Sequence, residues 1–245
     1  VIEPASLFVK MAETAMNIAG KNNSLLTMGI KPTEPSVSYG YIHRGTRILE
    51  ENGFNVYEVE SFKEKPDKTT AQRFINTGEY YWNGGVFVWQ TAKILEYLAK
   101  YTPKLALGLQ KIGAALGTEL EWTTVEKEYQ AFEKISIDYA VMEKAKDVVV
   151  IEVDFTWDDV GSWFAIERWN KKDNLGNTVL GMHYGMDTNS CIIVNNEQHL
   201  ITTIGVSDMI IVHTKDATLI CHKQKAEQIK KLVEELKQAG HQSYL

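Results

Sequence analysis

The most unusual chemistry in the sequence lies in TWDDVGSW, residues 156–163, where two adjacent acids stand between two tryptophans. Burying a carboxylate is costly unless a cation, a metal ion or several hydrogen-bond donors meet it. Phosphoryl and nucleotidyl transfer need hard oxygen ligands for Mg²⁺, so Asp158 and Asp159 are candidate metal ligands. The structural alternative is an acidic N-terminus for a helix starting near Val160, which the helix dipole favours. One acid suffices for that role, and the second acid therefore favours a metal site.

Two glycine-containing segments carry further candidates. In YGYI, residues 39–42, Gly40 lies between two tyrosines at the start of a strand. This indicates either a bulge or tight bend, or a backbone that must come close to a ligand. In YYWNGGVFVW, residues 80–89, Asn83 could offer a donor and an acceptor to a polyol. The alternative there is a turn in which Asn-Gly adopts positive φ.

The segment FKEKP, residues 62–66, ends a predicted strand with two neighbouring charges. Pro66 restricts Lys65 to extended geometry, and on a strand Glu64 and Lys65 would point to opposite faces. A solvated strand end would explain the pair. The functional alternative is that Glu64 accepts hydrogen bonds from hydroxyls while Lys65 neutralises a phosphate.

Length, charge and cysteine content exclude several classes of protein. A chain of 245 residues suits one large domain, or one domain with a smaller appendage. A net charge of -6 gives no basic surface for nucleic acid or anionic lipid. No apolar run is long enough to cross a bilayer, and the opening lacks the pattern of a signal peptide. Two cysteines, Cys191 and Cys221, argue against a disulfide framework and favour a reducing cytoplasm.

Strands alternate with helices over the first 170 residues, which predicts an α/β sheet with helices on its faces. In the segment 67–78, Asp67 is the expected helix cap and Gly78 the stop, while Ser136 is expected to open a short helix. The predicted strands are 24–30, 39–45, 54–62, 84–89 and 147–153. The predicted helices are 5–18 with Gly20 as its stop, 67–78, 91–101, 103–116, 123–133 and 136–145.

The pattern changes after the polar linker 168–177. Short strands with turn signals over 178–222 predict a small all-β unit, which could be a sandwich, a barrel or a β-solenoid. A final helix over 225–239 is expected to pack on this unit and close it. We therefore expect one domain over residues 1–170 and a second over 171–245.

Taken in order, five segments resemble one enzyme family: TMGIKPTEPSVSYGYI, FKEKP, YYWNGGVFVW, SIDYAVMEKA and WDDVGSW. They are similar to the sugar-binding half of the mannose-1-phosphate guanylyltransferases, which are sugar-nucleotide pyrophosphorylases. The resemblance continues to the last helix and so covers essentially the whole chain. It implies part of a Rossmann-like, GT-A-like nucleotidyltransferase sheet with helices on both faces, followed by a β-helix-like unit. The implied reaction converts GTP and mannose 1-phosphate into GDP-mannose and pyrophosphate.

The resemblance also implies roles for individual residues on the sugar side. Glu64 would hold sugar hydroxyls, and Lys65 would hold the sugar phosphate. Ser136 and Asp138 would be structural or support the pocket. The residues that would contact the mannose or line its pocket are Gly40, Tyr41, Glu64, Asn83 and Gly85.

On the metal side, the resemblance makes Asp159 one of two aspartates that hold a catalytic Mg²⁺. Gly161 would leave room for the sugar phosphate beside it. Asp158 would cap the helix or support its neighbour. Catalysis would then rest on Lys65 and Asp159 through positioning and charge neutralisation, with no protein nucleophile.

Two features of the family are not found in these 245 residues: the glycine-rich loop G-x-G-x-R-x-x-P and the second metal-binding aspartate. We therefore expect a C-terminal portion of the enzyme that is inactive alone and exposes an unpaired strand edge. A cupin-like isomerase domain is not found either, which favours the monofunctional form.

The expected partners are the small molecules GTP and mannose 1-phosphate, with no nucleic acid and no membrane. A second copy of the chain, bound through the C-terminal β unit, is a further expected partner. The alternatives are a pyrophosphorylase for another hexose 1-phosphate or another nucleotide, a non-catalytic sugar-phosphate-binding assembly or regulatory module, and a bare carbohydrate-binding domain.

Overall fold

Five apolar strands of the first 157 residues form one mixed sheet whose order closes into a ring, β2-β5-β3-β4-β6. Strands β2 and β6 pair in parallel, and the other neighbours pair antiparallel. Every ring strand has a neighbour on each side, because β4 pairs through Val56–Glu58 with β6. The expectation of an unpaired strand edge is therefore wrong for this sheet. The ring strands are β2 (Leu25–Ile30), β3 (Tyr41–Glu51), β4 (Phe54–Lys63), β5 (Tyr80–Val88) and β6 (Val148–Val153).

The computed structural model describes residues 1–195 and 198–244. It divides into two units, one of Ile2–Trp157 and the other of Val1 together with the residues from Asp158 onward. The first unit also contains a separate antiparallel pair of short strands, β1 (Ile2–Glu3) and β7 (Thr156–Trp157).

Helices cover both faces of the ring sheet, as predicted. Alternate residues of β6 enter two different hydrophobic clusters. Val149 and Ile151 pack in the cluster that contains α1 (Ala5–Asn22) and α2 (Lys68–Thr77). Val148 and Val150 pack with α3 (Thr91–Tyr101), which is followed in sequence by α4 (Pro103–Ala115) and α5 (Glu121–Ala131). All six residues of β2 are buried, as expected for a strand with both faces covered.

Helix ends follow the local signals in most places. The side chain of Asp67 accepts a hydrogen bond from the Thr70 backbone N–H at 2.8 Å, and Gly78 ends α2 with φ of 70°. Helix α1 runs past Gly20, which a helix tolerates, and ends where Asn23 takes φ of 51°. The helix predicted over 136–145 is a single π-helical turn, Asp138–Met142.

The second unit is a parallel β-solenoid, one of the three architectures left open by the sequence. Thr178, Ile192 and Ile210 occupy equivalent positions on three neighbouring parallel strands, and Leu200 lies beside Met182 on a parallel pair. No described strand of 178–222 pairs with the ring sheet. The elements are α6 (Trp163–Trp169), β8 (Thr178–Leu180), β9 (Met182–Met186), β10 (Ile192–Val194), β11 (Leu200–Ile204), β12 (Met209–His213), β13 (Thr218–His222) and α7 (Ile229–Gln238).

Helix α6 precedes the predicted linker but packs on the strands of the second unit. Its residues Trp163, Phe164 and Ile166 lie against a buried cluster that contains Ile192 and Ile210. The boundary near residue 170 stays a prediction. No helix within residues 1–195 and 198–244 is long and apolar enough to cross a membrane.

Candidate functional site

The side chain of Asn83 on β5 connects several of the segments singled out from the sequence. Its Nδ2 donates to Asp138 Oδ1 at 3.0 Å. Its Oδ1 accepts from Thr27 Oγ1 at 3.1 Å and from the Gly85 backbone N–H at 3.2 Å. The Asn83 backbone N–H donates to the Gly40 carbonyl at 2.8 Å. Asn83 therefore holds three predicted site residues in fixed positions.

Gly40 lies against the side chain of Glu64. A Cβ atom at Gly40 would collide with Glu64 Oε2 and lie 3.4 Å from the Cβ of Asn83. The structure thus brings Gly40, Glu64 and Asn83 together, although they come from three separate segments. The close neighbour of Gly40 is a side chain of the protein itself, so the approach of this backbone to a ligand stays a prediction.

Glu64 and Lys65 form an ion pair, with Lys65 Nζ 2.6 Å from Glu64 Oε1. The expectation of an extended Lys65 is wrong, because this residue has φ of 44°. The chain turns after β4 ends at Lys63, so the two charges meet and do not point to opposite faces. The Glu64 side chain is only 10% exposed and that of Lys65 60%, which leaves the ammonium group facing solvent. The hydrogen bond to Glu64 raises the pKa of Lys65 and keeps it charged.

The two adjacent glycines of β5, Gly84 and Gly85, occupy different structural environments. A Cβ at Gly84 would collide with Met28 and lie 3.0 Å from Ile30 Cδ1, so this glycine allows close packing. Gly85 has φ of 66° and faces open space. The sheet register shifts here, with residues 84–86 forming a bulge opposite β2. Gly85 is therefore the exposed member of the pair and the one available to a ligand.

The side chains of Tyr41 and Ser136 make none of the polar contacts described above. The Tyr41 side chain is fully buried, and its hydroxyl donates to the Ser36 carbonyl at 3.0 Å. Burial raises the pKa of that hydroxyl. Its contact with a sugar stays a prediction and would have to come from the backbone. The Ser136 carbonyl accepts from the Ala140 N–H, which starts the π-helical turn without a side-chain cap.

Sequence reasoning missed two members of the cluster, Thr27 and Glu143. Thr27 is fully buried, yet it is the one hydroxyl in the apolar strand LLTMGI, which is the signal that could have found it. Glu143 Oε1 accepts from the backbone N–H of Glu64 at 3.4 Å. It lies in the segment SIDYAVMEKA, but its position within that segment gave no reason to choose it.

In the second unit, Asp158 is fully engaged by donors from α6. Its carboxylate accepts from Arg168 Nε at 2.7 Å and Nη2 at 2.8 Å, and from the Trp169 indole N–H at 2.8 Å. The side chain is 11% exposed, and the Arg168 guanidinium lowers its pKa. A bidentate arginine and an indole offset the cost of burying this carboxylate. These contacts join the Asp158 carboxylate to α6, and its support of Asp159 stays a prediction.

Asp159 is exposed, and its carbonyl accepts a hydrogen bond from the Gly161 N–H. Helix α6 begins only at Trp163, with Ser162 at its N-cap position and no acid in its first turn. The acidic helix N-terminus near Val160 and the helix cap expected of Asp158 are therefore wrong. A Cβ at Gly161 would lie 3.5 Å from Asp159 Oδ2. This is an ordinary van der Waals distance, so the role of Gly161 in leaving room for a sugar phosphate stays a prediction.

The single exposed carboxylate of Asp159 can supply one ligand to a Mg²⁺ ion. Within residues 1–195 and 198–244, no group of three or more His, Cys, Asp or Glu side chains could hold a metal ion. Mg²⁺ commonly binds through one or two carboxylates plus substrate phosphates. Asp159 can therefore contribute to such a site and cannot form it alone.

Two family models match the chain. Residues 5–175 match the nucleotidyl transferase model. The chain belongs to the nucleotidyl transferase family. Residues 181–236 match the model described as "MannoseP isomerase/GMP-like beta-helix domain", in agreement with the solenoid strands. The α/β nucleotidyltransferase fold with a β-helix-like C-terminal unit, expected from the sequence, is confirmed.

Curated relatives confirm the resemblance to the mannose-1-phosphate guanylyltransferases. The chain is 36% identical to a mannose-1-phosphate guanylyltransferase of Escherichia coli (strain K12), over 100% of its own length and 51% of that protein. It is 38% identical to one of Klebsiella pneumoniae, over 90% of the chain and 46% of that protein. The chain thus spans about half the length of the curated relatives that it matches.

A solved structure of the family covers almost the whole chain. It is the crystal structure described as mannose-1-phosphate geranyltransferase from Thermus thermophilus, with a TM-score of 0.78 and 34% identity. The alignment covers 97% of this chain and 67% of that one.

Proposed function

We propose that this chain is the sugar-phosphate-binding part of a mannose-1-phosphate guanylyltransferase. The intact protein would convert GTP and mannose 1-phosphate into GDP-mannose and pyrophosphate. The observation that supports this most is the convergence of Gly40, Glu64, Asn83 and Asp138, with the exposed charge of Lys65 at Glu64. A carboxylate that accepts from hydroxyls beside a cation that binds phosphate suits a sugar phosphate.

The proposed roles follow from what each side chain already contacts. Glu64 accepts from the sugar hydroxyls, and Lys65 leaves Glu64 to bind the sugar phosphate. Asn83 is occupied by internal partners, so it shapes the mannose pocket chiefly by positioning Gly40, Gly85 and Asp138. Gly85 offers open backbone at the bulge.

The reaction needs positioning and charge neutralisation more than covalent chemistry. An oxygen of mannose 1-phosphate attacks the α-phosphorus of GTP in line, and pyrophosphate leaves. Lys65 orients the attacking phosphate and reduces repulsion between the two anions. Asp159 would hold Mg²⁺, which when bound neutralises phosphate charge.

The test compares Lys65→Ala with Lys63→Ala, an equally simple charge removal two residues earlier. Loss of a charged hydrogen bond is worth about 1.5–3 kcal/mol, so Lys65→Ala should weaken mannose 1-phosphate roughly ten- to a hundredfold. Calorimetric titration should show free mannose unaffected, and Lys63→Ala should change neither ligand. Equal losses for mannose and mannose 1-phosphate in Lys65→Ala would contradict the assignment.

Titration of the same chain with other hexose 1-phosphates separates the rival functions. Tighter binding of another hexose 1-phosphate would favour a different pyrophosphorylase. Sugar-phosphate binding without GDP-mannose formation by the intact protein would favour a non-catalytic regulatory module. Sugar binding that ignores the phosphate would favour a bare carbohydrate-binding domain.

We also propose a homo-oligomer built on the second unit. One face of the β9–β11 pair is apolar and exposed, as shown by Tyr184 and Ile204, each 70% accessible. Large exposed apolar patches commonly mark interaction surfaces. A cytoplasmic location fits the two cysteines, Cys191 and Cys221, which are both free thiols.

A further inference from the structure

The first unit contains a cavity of about 500 Å³ that none of the proposed sugar-phosphate residues lines. The exposed residues Lys31 and Gly78 indicate the side on which it opens. Its wall combines aromatic rings with charged and amide groups. The lining residues used below are Lys31, Arg44, Asn55, Tyr57, Tyr81 and Glu152.

The one carboxylate of this cavity wall, Glu152, already has its partners. Lys31 Nζ lies 3.0 Å from Glu152 Oε1, while Asn55 Nδ2 and the Tyr57 hydroxyl donate to Oε2 at 3.1 and 3.2 Å. The Glu152 side chain is 13% exposed. Its charge is therefore balanced by Lys31, and both of its oxygens have partners.

Arg44 has no such balance. Its guanidinium lies over the Tyr57 ring at 4.8 Å and near the Tyr81 ring at 5.9 Å. Its Nε is buried and has no hydrogen-bond partner, and no ion pair joins Arg44 to any residue of 1–195 or 198–244. A buried guanidinium N–H without an acceptor is costly, and the fork of N–H donors suits an oxyanion.

We propose that this cavity binds a small metabolite through an oxyanion group, a phosphate or a carboxylate, with Arg44 as the main cation. The charged groups of the wall are Lys31, Arg44 and Glu152, so their formal charges leave one positive charge that one anionic group neutralises. The Tyr57 ring holds the guanidinium in place, which lowers the cost of ordering it. Asn55 and Tyr81 offer polar atoms to the rest of the ligand.

The experiment uses calorimetric titration with inorganic phosphate and with acetate, against chloride at equal ionic strength. Every variant carries Lys65→Ala, which removes the other proposed phosphate-binding cation. Arg44→Met keeps the apolar stem and removes the guanidinium. The matched control is Arg47→Met on the same strand, whose side chain is exposed and paired with Glu50.

The parent is the chain that carries Lys65→Ala alone. For phosphate or acetate, the parent and the Arg47→Met variant should have equal affinity. Arg44→Met should bind the same anion about ten- to a hundredfold more weakly. The tighter of the two anions identifies the ligand as a phosphate or a carboxylate. Equal affinity in Arg44→Met, or no binding of either anion by the parent, would overturn the proposal.

A crystal structure of the parent soaked in the tighter anion tests the site without relying on the fold of Arg44→Met. The anion is expected within hydrogen-bond distance of the Arg44 guanidinium. Binding in solution with the anion seated elsewhere would overturn the assignment to this cavity.

Discussion

At the scale of single residues, the two adjacent acids of WDDVGSW have opposite environments. Asp158 accepts three hydrogen bonds from Arg168 and Trp169, whereas Asp159 is exposed. The sequence offers two acids where one would suffice for an acidic helix N-terminus, which raises the question of what the second acid does. In the structure, Arg168 and Trp169 occupy the carboxylate of Asp158, whereas the exposed carboxylate of Asp159 can act as an oxygen ligand.

The first prediction separates these two acids by function. In the intact protein, Asp159→Asn should lower turnover more than Asp158→Asn, because the amide is a poor Mg²⁺ ligand. Excess Mg²⁺ should partly rescue Asp159→Asn and leave Asp158→Asn unchanged. Steady-state kinetics over a Mg²⁺ series measures this. Greater loss in Asp158→Asn, with rescue by Mg²⁺, would reverse the assignment.

The second prediction concerns stability and pH. Arg168 lowers the pKa of folded Asp158, so the unfolded chain binds more protons and the ion pair stabilises the protein more as pH rises. Asp158→Asn should cost about 1 kcal/mol at pH 7, a value reduced because Arg168 is half exposed. The cost should be complete above the unfolded pKa near 4 and disappear as pH falls through the lower folded pKa.

Urea unfolding of both proteins at neutral pH and near pH 3 measures this difference. Arg168→Met should show the same pH dependence, since it removes the other half of the pair. A difference in unfolding free energy that does not change with pH would mean that the pair does not control the stability contributed by Asp158.

Residue-level reasoning failed at Lys65 and at Thr27. Pro66 predicted an extended Lys65, but the chain turns there, with φ of 44°, and Lys65 pairs with the adjacent Glu64. Thr27 was read as part of an apolar strand, although its hydroxyl donates to Asn83, 56 residues away. The Thr27–Asn83 contact cannot be read from neighbouring residues.

At the scale of elements, the helix ends marked by capping residues and glycines were predictable, and strand pairing was not. Asp67 and Gly78 bound α2 as expected, because caps act within one turn. Strand β3 runs on to Glu51, beyond the predicted end at residue 45, as part of a hairpin with β4 that contains several register shifts. The closing contact between β4 and β6 joins segments about 95 residues apart, and no local pattern specifies it.

The third prediction tests the packing role of the first glycine in β5. Gly84→Ala should destabilise the protein by about 1–3 kcal/mol, because the added methyl would meet Met28 and Ile30 in the core. Gly20→Ala is the matched control on α1, where a methyl meets nothing within 4 Å. It should stabilise the protein by about 0.5–1 kcal/mol.

Denaturant unfolding of both variants gives the two values. The opposite signs are the essential outcome, since they compare the same chemical change in a packed strand and an open helix. A neutral Gly84→Ala would show that β2 and β5 can separate to admit a methyl group.

At the scale of the whole molecule, the sequence predicted two architectures from the change in pattern. The first unit is a helix-covered sheet and the second a parallel solenoid, in agreement with the two family models. Composition could not choose among sandwich, barrel and solenoid, because short apolar strands with turns are common to all three. In-register parallel pairing is a property of the folded ladder.

The fourth prediction concerns the apolar face of β9 and β11. If a second copy binds there, Tyr184→Lys should place a charge in the interface and shift the protein toward monomers. Ile220→Lys is the matched control, since Ile220 is 65% exposed but lies on β13, outside that face. Light scattering coupled to size exclusion should show dissociation only for Tyr184→Lys. A monomeric parent, or dissociation by Ile220→Lys alone, would contradict the proposed surface.

The solenoid register gives the second unit an unusual freedom to change over evolution. Thr178 and Ile192 are paired although 14 positions separate them, while Ile192 and Ile210 are paired across 18. The unequal spacing is absorbed entirely in the connections, and the ladder itself stays aligned. Each coil depends chiefly on its neighbours, so a connection can gain or lose several residues without displacing the next rung. A lineage, or a protein engineer, can therefore vary the length of one connection and leave the rest of the stack undisturbed.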